Sequence, residues 1–258
     1  MGFSIYLPHN PTNRPLASIL FLGGMTCSDE SFFQQAGAIR RASELGLALI
    51  CPDTSPRNTG IDGEDGCYDL GSGASFYVDA TEPKWAKHYN MYSYITHEFR
   101  DLIFKEFPLD SKRMSVSGHS MGGNGALFIA LRNTGMFVSC SAFAPVCNPS
   151  KNKWGRKVFT EYLGSDESSW KPYDAVEVLR ALKGNLSIPV LIDQGGQDFF
   201  DLLNEDALTP YRLVELVSKA SPQPLTFNLR EGYDHFFYFI QTFIDSHLNF
   251  HAQHLGII

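Results

Sequence analysis

Gly118-His119-Ser120-Met121-Gly122 is the segment that most limits what this chain can fold into. It follows a strand-like run over 113–117 and opens a helical pattern over 120–132. In that setting G-x-S-x-G reads as a sharp strand-to-helix turn that lifts a serine hydroxyl above a sheet. Small neighbours are needed because strand and helix approach closely and the serine occupies a sparsely populated backbone region. The helix start, with its free amides, favours negative charge beside that hydroxyl.

The rest of the chain supplies a scaffold for such a turn. Short apolar runs at 3–7, 18–22, 48–51, 113–117, 137–143, 188–193 and 225–229 are predicted as strands. Helical patterns at 31–44, 91–106, 120–132, 173–182, 210–220 and 236–251 alternate with them. Such alternation predicts an α/β fold, a mostly parallel central sheet with helices on both faces, and puts functional residues in the turns after the strands. The 258 residues suit one such domain, expected to span 1–258, and no linker or repeat divides them. One stretch, 52–87, shows neither period; its Tyr68, Phe76, Tyr77 and Trp85 predict an ordered excursion packed near the site.

Composition narrows the function classes. Hydrophobic residues at 43% and charged residues at 19% exclude a disordered chain. The net charge is -7 with scattered cations, which argues against nucleic-acid binding. No apolar run is long enough to cross a bilayer, and residues 1–8 lack the charge and apolar length of a secretory signal. Five cysteines, odd in number and without a CxxC pair, read as reduced thiols rather than a disulfide framework or metal site, so a cytoplasmic protein is expected. No cofactor motif is present.

A nucleophilic serine needs a base and an orienting acid, which in this kind of fold follow it in the order Ser, Asp or Glu, His. Four histidines follow Ser120. His247, His251 and His254 fall in the last helical pattern and are expected on its solvated face. His235, in the turn Glu231-Gly232-Tyr233-Asp234-His235-Phe236, is the candidate base. Asp198, beyond the Gly195-Gly196 turn, is preferred as the acid over Asp193 and Asp201, and Asp234 is expected to form the turn. An oxyanion hole needs two backbone N–H groups. Met121 would give one and the loop Gly23-Gly24-Met25-Thr26-Cys27 the other, from Met25 or else Gly24.

Several further segments carry a resemblance. They include Leu22 to Cys27, Pro52-Asp53-Thr54-Ser55-Pro56-Arg57, Gly63-Glu64-Asp65, the segment Gly73 to Thr81, Met91-Tyr92-Ser93-Tyr94, Gly118 to Leu127, the segment Ser141 to Pro149, and Tyr233-Asp234-His235. In these, and in order over nearly the whole chain, the sequence resembles the S-formylglutathione hydrolase family, also called esterase D, on the α/β-hydrolase fold. The resemblance implies hydrolysis of S-formylglutathione to formate and glutathione in formaldehyde detoxification, with side activity on small acyl esters. It implies Ser120, Asp198 and His235 as triad, Met25 and Met121 as oxyanion donors, no metal, a homodimer, and thiol sensitivity through Cys27 at the pocket. For the anionic glutathione half, Trp154 and Lys153, within the cluster Lys151, Lys153, Arg156 and Lys157, are candidate binding residues.

The pattern departs from the family in three places. A strand usually precedes the one at 3–7, so an open sheet edge is expected. Asn124 stands where His is usual, and Tyr68 where Trp is usual. The alternatives are a general carboxylesterase of small acyl esters and a non-catalytic partner-binding protein on the same fold.

Overall fold

The structure, a computed structural model, describes residues 1–10, 12–199 and 207–258; Asp201 lies outside them. β1 (Phe3–Tyr6), β2 (Leu16–Leu22), α1 (Ser31–Gln35), α2 (Ala38–Leu45) and β3 (Ala48–Pro52) come first. A helical turn Met91–Ser93 and a π-helical turn Tyr94–Glu98 lead into α3 (Phe99–Glu106) and β4 (Leu109–His119). Next come α4 (Met121–Arg132), β5 (Cys140–Phe143), α5 (Lys153–Leu163), α6 (Ala175–Ala181) and β6 (Val190–Gly195). The chain closes with α7 (Pro210–Leu216), β7 (Leu225–Arg230) and α8 (Phe237–His254).

The seven strands form one sheet in the order β1-β3-β2-β4-β5-β6-β7, parallel except for the pairing of β1 with β3. All seven predicted strands are present, and the sheet is mostly parallel as the alternation required. Every residue of β2, β3, β5 and β6 is buried, because helices cover both faces and neither can be polar by default. The edge strands β1 and β7 are only partly covered. Each large apolar side chain buried here, such as Phe21, Ile50 or Phe143, contributes about 1.5–3 kcal/mol.

Side-chain alternation sets what each face carries. Ser115 and Ser117 on β4, and Ser139, Ser141 and Phe143 along β5, point to the face covered by α8. α4 runs back along the other face of β2, β4 and β5.

Three helical expectations are corrected. The pattern at 31–44 splits into two helices, because the chain turns left-handed at Gly37 (φ 67°). A further helix, α5, was not anticipated; Asn152 caps it by accepting from the Gly155 N–H at 2.6 Å. The solvated face expected for the late histidines is also wrong for two of them. His247 and His251 are buried between α8 and the sheet, His251 bonded to Ser139 and Ser141 at 2.8 Å each.

Candidate active site

The site lies at the carboxyl ends of β2, β4, β6 and β7. Ser120 follows β4 directly and caps α4 with φ 55° and ψ −117°. That conformation costs an L-residue about 1–3 kcal/mol and must be imposed by its surroundings. Two clamps impose it: the Ser120 N–H donates to the Phe143 carbonyl (2.9 Å), and its own carbonyl accepts from Val146 N–H (3.1 Å). Glycine is obligatory on either side. A Cβ on Gly118 would stand 2.1 Å from the Gly122 carbonyl oxygen, and one on Gly122 would stand 2.1 Å from that of Leu22.

His235 comes from the turn between β7 and α8, and Asp198 from the loop after β6. His235 Nε2 lies 2.9 Å from Ser120 Oγ, and His235 Nδ1 lies 2.7 Å from Asp198 Oδ2. An ionised carboxylate only accepts, so Nδ1 carries the proton and the Nε2 lone pair faces the serine hydroxyl. Asp198 Oδ2 also accepts from Gln194 Nε2 at 3.1 Å. All three residues are buried to 6% exposure or less. The acid and base loops are laced together by two bonds, Gly196 N–H to Arg230 O and Gln197 N–H to Tyr233 O, each 2.9 Å.

Asp193 is directed elsewhere. It sits on β6 and accepts from Arg230 Nε at 2.7 Å and Asn228 Nδ2 at 2.8 Å. Burial pushes its carboxyl up, but His247, Arg230 and Asn228 together hold it below the usual carboxylate value. Asp234 forms the turn, accepting from Phe236 N–H at 3.1 Å.

In the loop after β2, Thr26 N–H donates to Gly73 O (2.9 Å) and Cys27 N–H to Gly24 O (3.3 Å). The N–H groups of Gly24, Met25 and Met121 donate to no acceptor among the described residues. Of the two loop candidates, Met25 lines the cavity that contains Ser120 and Gly24 does not. The long excursion after β3 braces this loop: Tyr77 Oη donates to Gly23 O at 3.0 Å, and Phe76, Tyr77 and Trp85 are buried. Tyr68 stays exposed and reaches the cavity.

That cavity holds about 430 Å³ and is walled by Met25, Cys27, Gln35, Tyr68, Phe236 and Phe237, among others. Cys27 lines it, and burial raises its thiol above the ordinary value. Lys153 is exposed on α5 and is not among the cavity's lining residues. Trp154 is buried against Phe76, its indole N–H donating to Asp69 at 3.1 Å, and Lys157 pairs with the same carboxylate at 2.8 Å. Asn124 ties α4 to the segment before α6, donating to Tyr173 O (2.9 Å) and accepting from Ala175 N–H (3.1 Å).

Sequence reasoning passed over His119. Its Nε2 contacts the His235 carbonyl at 2.8 Å and must therefore donate, while its buried Nδ1 has no hydrogen-bond partner among the described residues and faces Gly24. Burial, with His235 alongside, lowers its pKa to about 3, so the ring is neutral. Gln35, Phe236 and Phe237 were also passed over as walls, although the two phenylalanines directly follow His235.

Comparison with known proteins places this geometry in a lineage. A family model described as "Putative esterase" matches residues 1–250. S-formylglutathione hydrolases of Mus musculus and Bos taurus are 48% and 46% identical over 256 residues, covering 99% of this chain and 89% of each relative. The solved S-formylglutathione hydrolase of Agrobacterium tumefaciens superposes with a TM-score of 0.92 at 43% identity, over 98% of this chain and 90% of that one. A ferulic acid esterase at 19% identity and TM-score 0.66 shares the fold. With the sheet, the serine turn and matches spanning nearly its full length, the chain belongs to the S-formylglutathione hydrolase family of esterases.

Proposed function

We propose that the chain hydrolyses S-formylglutathione to formate and glutathione, with Ser120 as nucleophile, His235 as base and Asp198 as the residue that orients it. The observation that carries this reading is the continuous relay Asp198–His235–Ser120, at 2.7 and 2.9 Å, opening into the cavity. Ser120 Oγ attacks the formyl carbon as Nε2 of His235 takes its proton, and the N–H groups of Met25 and Met121 receive the oxyanion. The C–S bond breaks, and the glutathione thiolate leaves with the proton from His235. Water, deprotonated by His235, then attacks the formyl-enzyme, releasing formate and restoring the Ser120 hydroxyl. Asp198 stays ionised throughout and stabilises the imidazolium.

The reading includes one catalytic domain over residues 1–258, acting in the cytoplasm and pairing as a homodimer. Five free thiols, three of them buried, fit a reducing compartment. Among the described residues no helix is long and apolar enough to cross a membrane.

The test is kcat/KM for S-formylglutathione beside that for simple acetate esters, with Ser120→Ala as control. A strong preference for the thioester, abolished in the variant, is expected. Preference for the esters would reassign the protein as a general carboxylesterase, and failure of a fluorophosphonate probe to label Ser120 in folded protein would remove the catalytic reading.

A further inference from the structure

Formyl is the smallest acyl group, so in the reaction proposed above almost all of the substrate beyond the reacting carbonyl is its thiol half. Binding energy that raises kcat/KM by lowering KM must therefore come from contacts to that half. The catalytic cavity does not end at Ser120. A second cavity of about 620 Å³ adjoins it, and Gln35, Phe236 and Phe237 line both. The outer cavity lies between α1, which gives Gln34 and Gln35, and the start of α8, which gives Tyr238 and Gln241.

Its lining has a definite chemistry. Gln35 and Gln241 are exposed, and their side chains make no hydrogen bond to any described residue. Each can donate and accept at once, which complements a peptide unit. Phe236 is 51% exposed and Tyr238 82%, an aromatic surface of the kind that marks a ligand site when rimmed by polar groups. No Lys or Arg among the described residues lines either cavity. Among the described residues the charged one lining the outer cavity is Asp234, whose Oδ1 accepts from Phe236 N–H. α2, which follows α1 across Gly37, is tied to α8 farther along, Arg41 donating to Asn249 at 2.9 and 2.6 Å.

We propose that this outer cavity is the subsite for the thiol half of the substrate, a γ-glutamyl peptide. The side-chain amides of Gln35 and Gln241 read its peptide groups, and Phe236 and Tyr238 cover its apolar stem. Asp234 meets its α-ammonium, and its carboxylates remain in water. The subsite rests on the S-formylglutathione reading and replaces the cationic anchor sought at Lys153.

S-methylglutathione, which has no scissile acyl group, serves as an inhibitor of acetate-ester hydrolysis by the full-length protein. Loss of a few polar and aromatic contacts in Gln241→Ala/Tyr238→Ala is expected to raise its Ki about ten-fold. KM for S-formylglutathione should rise in parallel, with kcat changing far less, and Asp234→Asn should give a smaller rise of the same kind. Lys153→Ala should leave the Ki within about two-fold. A Ki unmoved in the double variant, or moved only in Lys153→Ala, overturns the subsite. If the wild-type protein binds S-methylglutathione through the outer cavity yet does not turn over S-formylglutathione, the reaction assignment falls and the subsite stands. If it turns the thioester over and the double variant binds normally, the reverse holds.

Discussion

Among the described residues, serine, histidine and aspartate are brought together in two places, and one of the two has the form of a reaction centre. At the strand ends, Ser120, His235 and Asp198 make a relay of 2.9 and 2.7 Å beside a cavity. Beneath α8, Ser139 and Ser141 hold both nitrogens of His251 at 2.8 Å, and His247 stacks on Phe143 with Nε2 3.7 Å from Asp193. The second group has the same residue types, but its aspartate lies beside one histidine, His247, and its serines bond another, His251. Its serines, Ser139 and Ser141, are however at 0% exposure beside and on β5. Burial holds the pKa values of His247 and His251 below the ordinary imidazole value. What separates the two groups is position: one stands where the strands stop, and the other is a polar seam fastening a helix to the middle of the sheet.

The contrast can be broken from either side. His235→Ala should lower kcat/KM by about 10⁴- to 10⁶-fold, the loss seen when the base of such a relay is removed, measured under single-turnover conditions. Asp198→Asn should cost about 10³- to 10⁴-fold through the wrong imidazole tautomer, while Asp193→Asn, changing a carboxylate tied to Arg230, should appear in a denaturant melt and leave kcat nearly intact. His119→Phe, which cuts the bond to the His235 carbonyl, should lower kcat by about 10- to 100-fold by displacing the base; His119→Gln, able to donate from its amide, should recover part of that loss. If His119→Phe changes only the melting temperature, its role is packing alone.

The seam should respond in stability instead. His251→Phe removes the imidazole partner of the buried Ser139 and Ser141 hydroxyls, leaving them only Ser115 and Ser117, and should cost about 1–3 kcal/mol in urea unfolding, with kcat/KM of the folded fraction preserved. The pH dependence has a definite sign. His247 and His251 have folded pKa values below the unfolded value of about 6.5, so the unfolded chain binds more protons in the interval between. Their contribution is complete above about pH 6.5 and is lost as the pH falls below it, at no more than about 1.4 kcal/mol per pH unit per histidine. His251→Phe should flatten that acid slope, and an unchanged slope would show that this ring does not titrate in the window.

The serine turn and the order of its partners could be read in the sequence because each depends on local chemistry: glycines where backbones nearly touch, and an acid and a histidine just past apolar runs. The seam could not. Its signal is the alternation Met114-Ser115-Val116-Ser117 and Ser139-Cys140-Ser141-Ala142, in which one face is hydroxyl and the other apolar. Serines on a strand suggest solvent until a histidine from more than a hundred residues away is known to sit on them. α5 was hidden by charge. Trp154, Val158 and Tyr162 recur at helical spacing and are buried, but Lys153, Arg156 and Lys157 around them read as an anion site. His119 was hidden inside the motif, where its partner is a backbone carbonyl with no side-chain identity to search for.

The lacing of the acid and base loops bears on how this protein comes into being. Ser120 and His235 are separated by 115 positions, and Asp198 and His235 by 37. Their alignment requires β4, β6 and β7 to be in register first, and contacts of such separation form slowly because chain closure precedes any reward. No early, locally folded species can carry the relay. Regain of esterase activity after dilution from denaturant should therefore trail the regain of helical signal, making turnover itself a clock for the last step of folding.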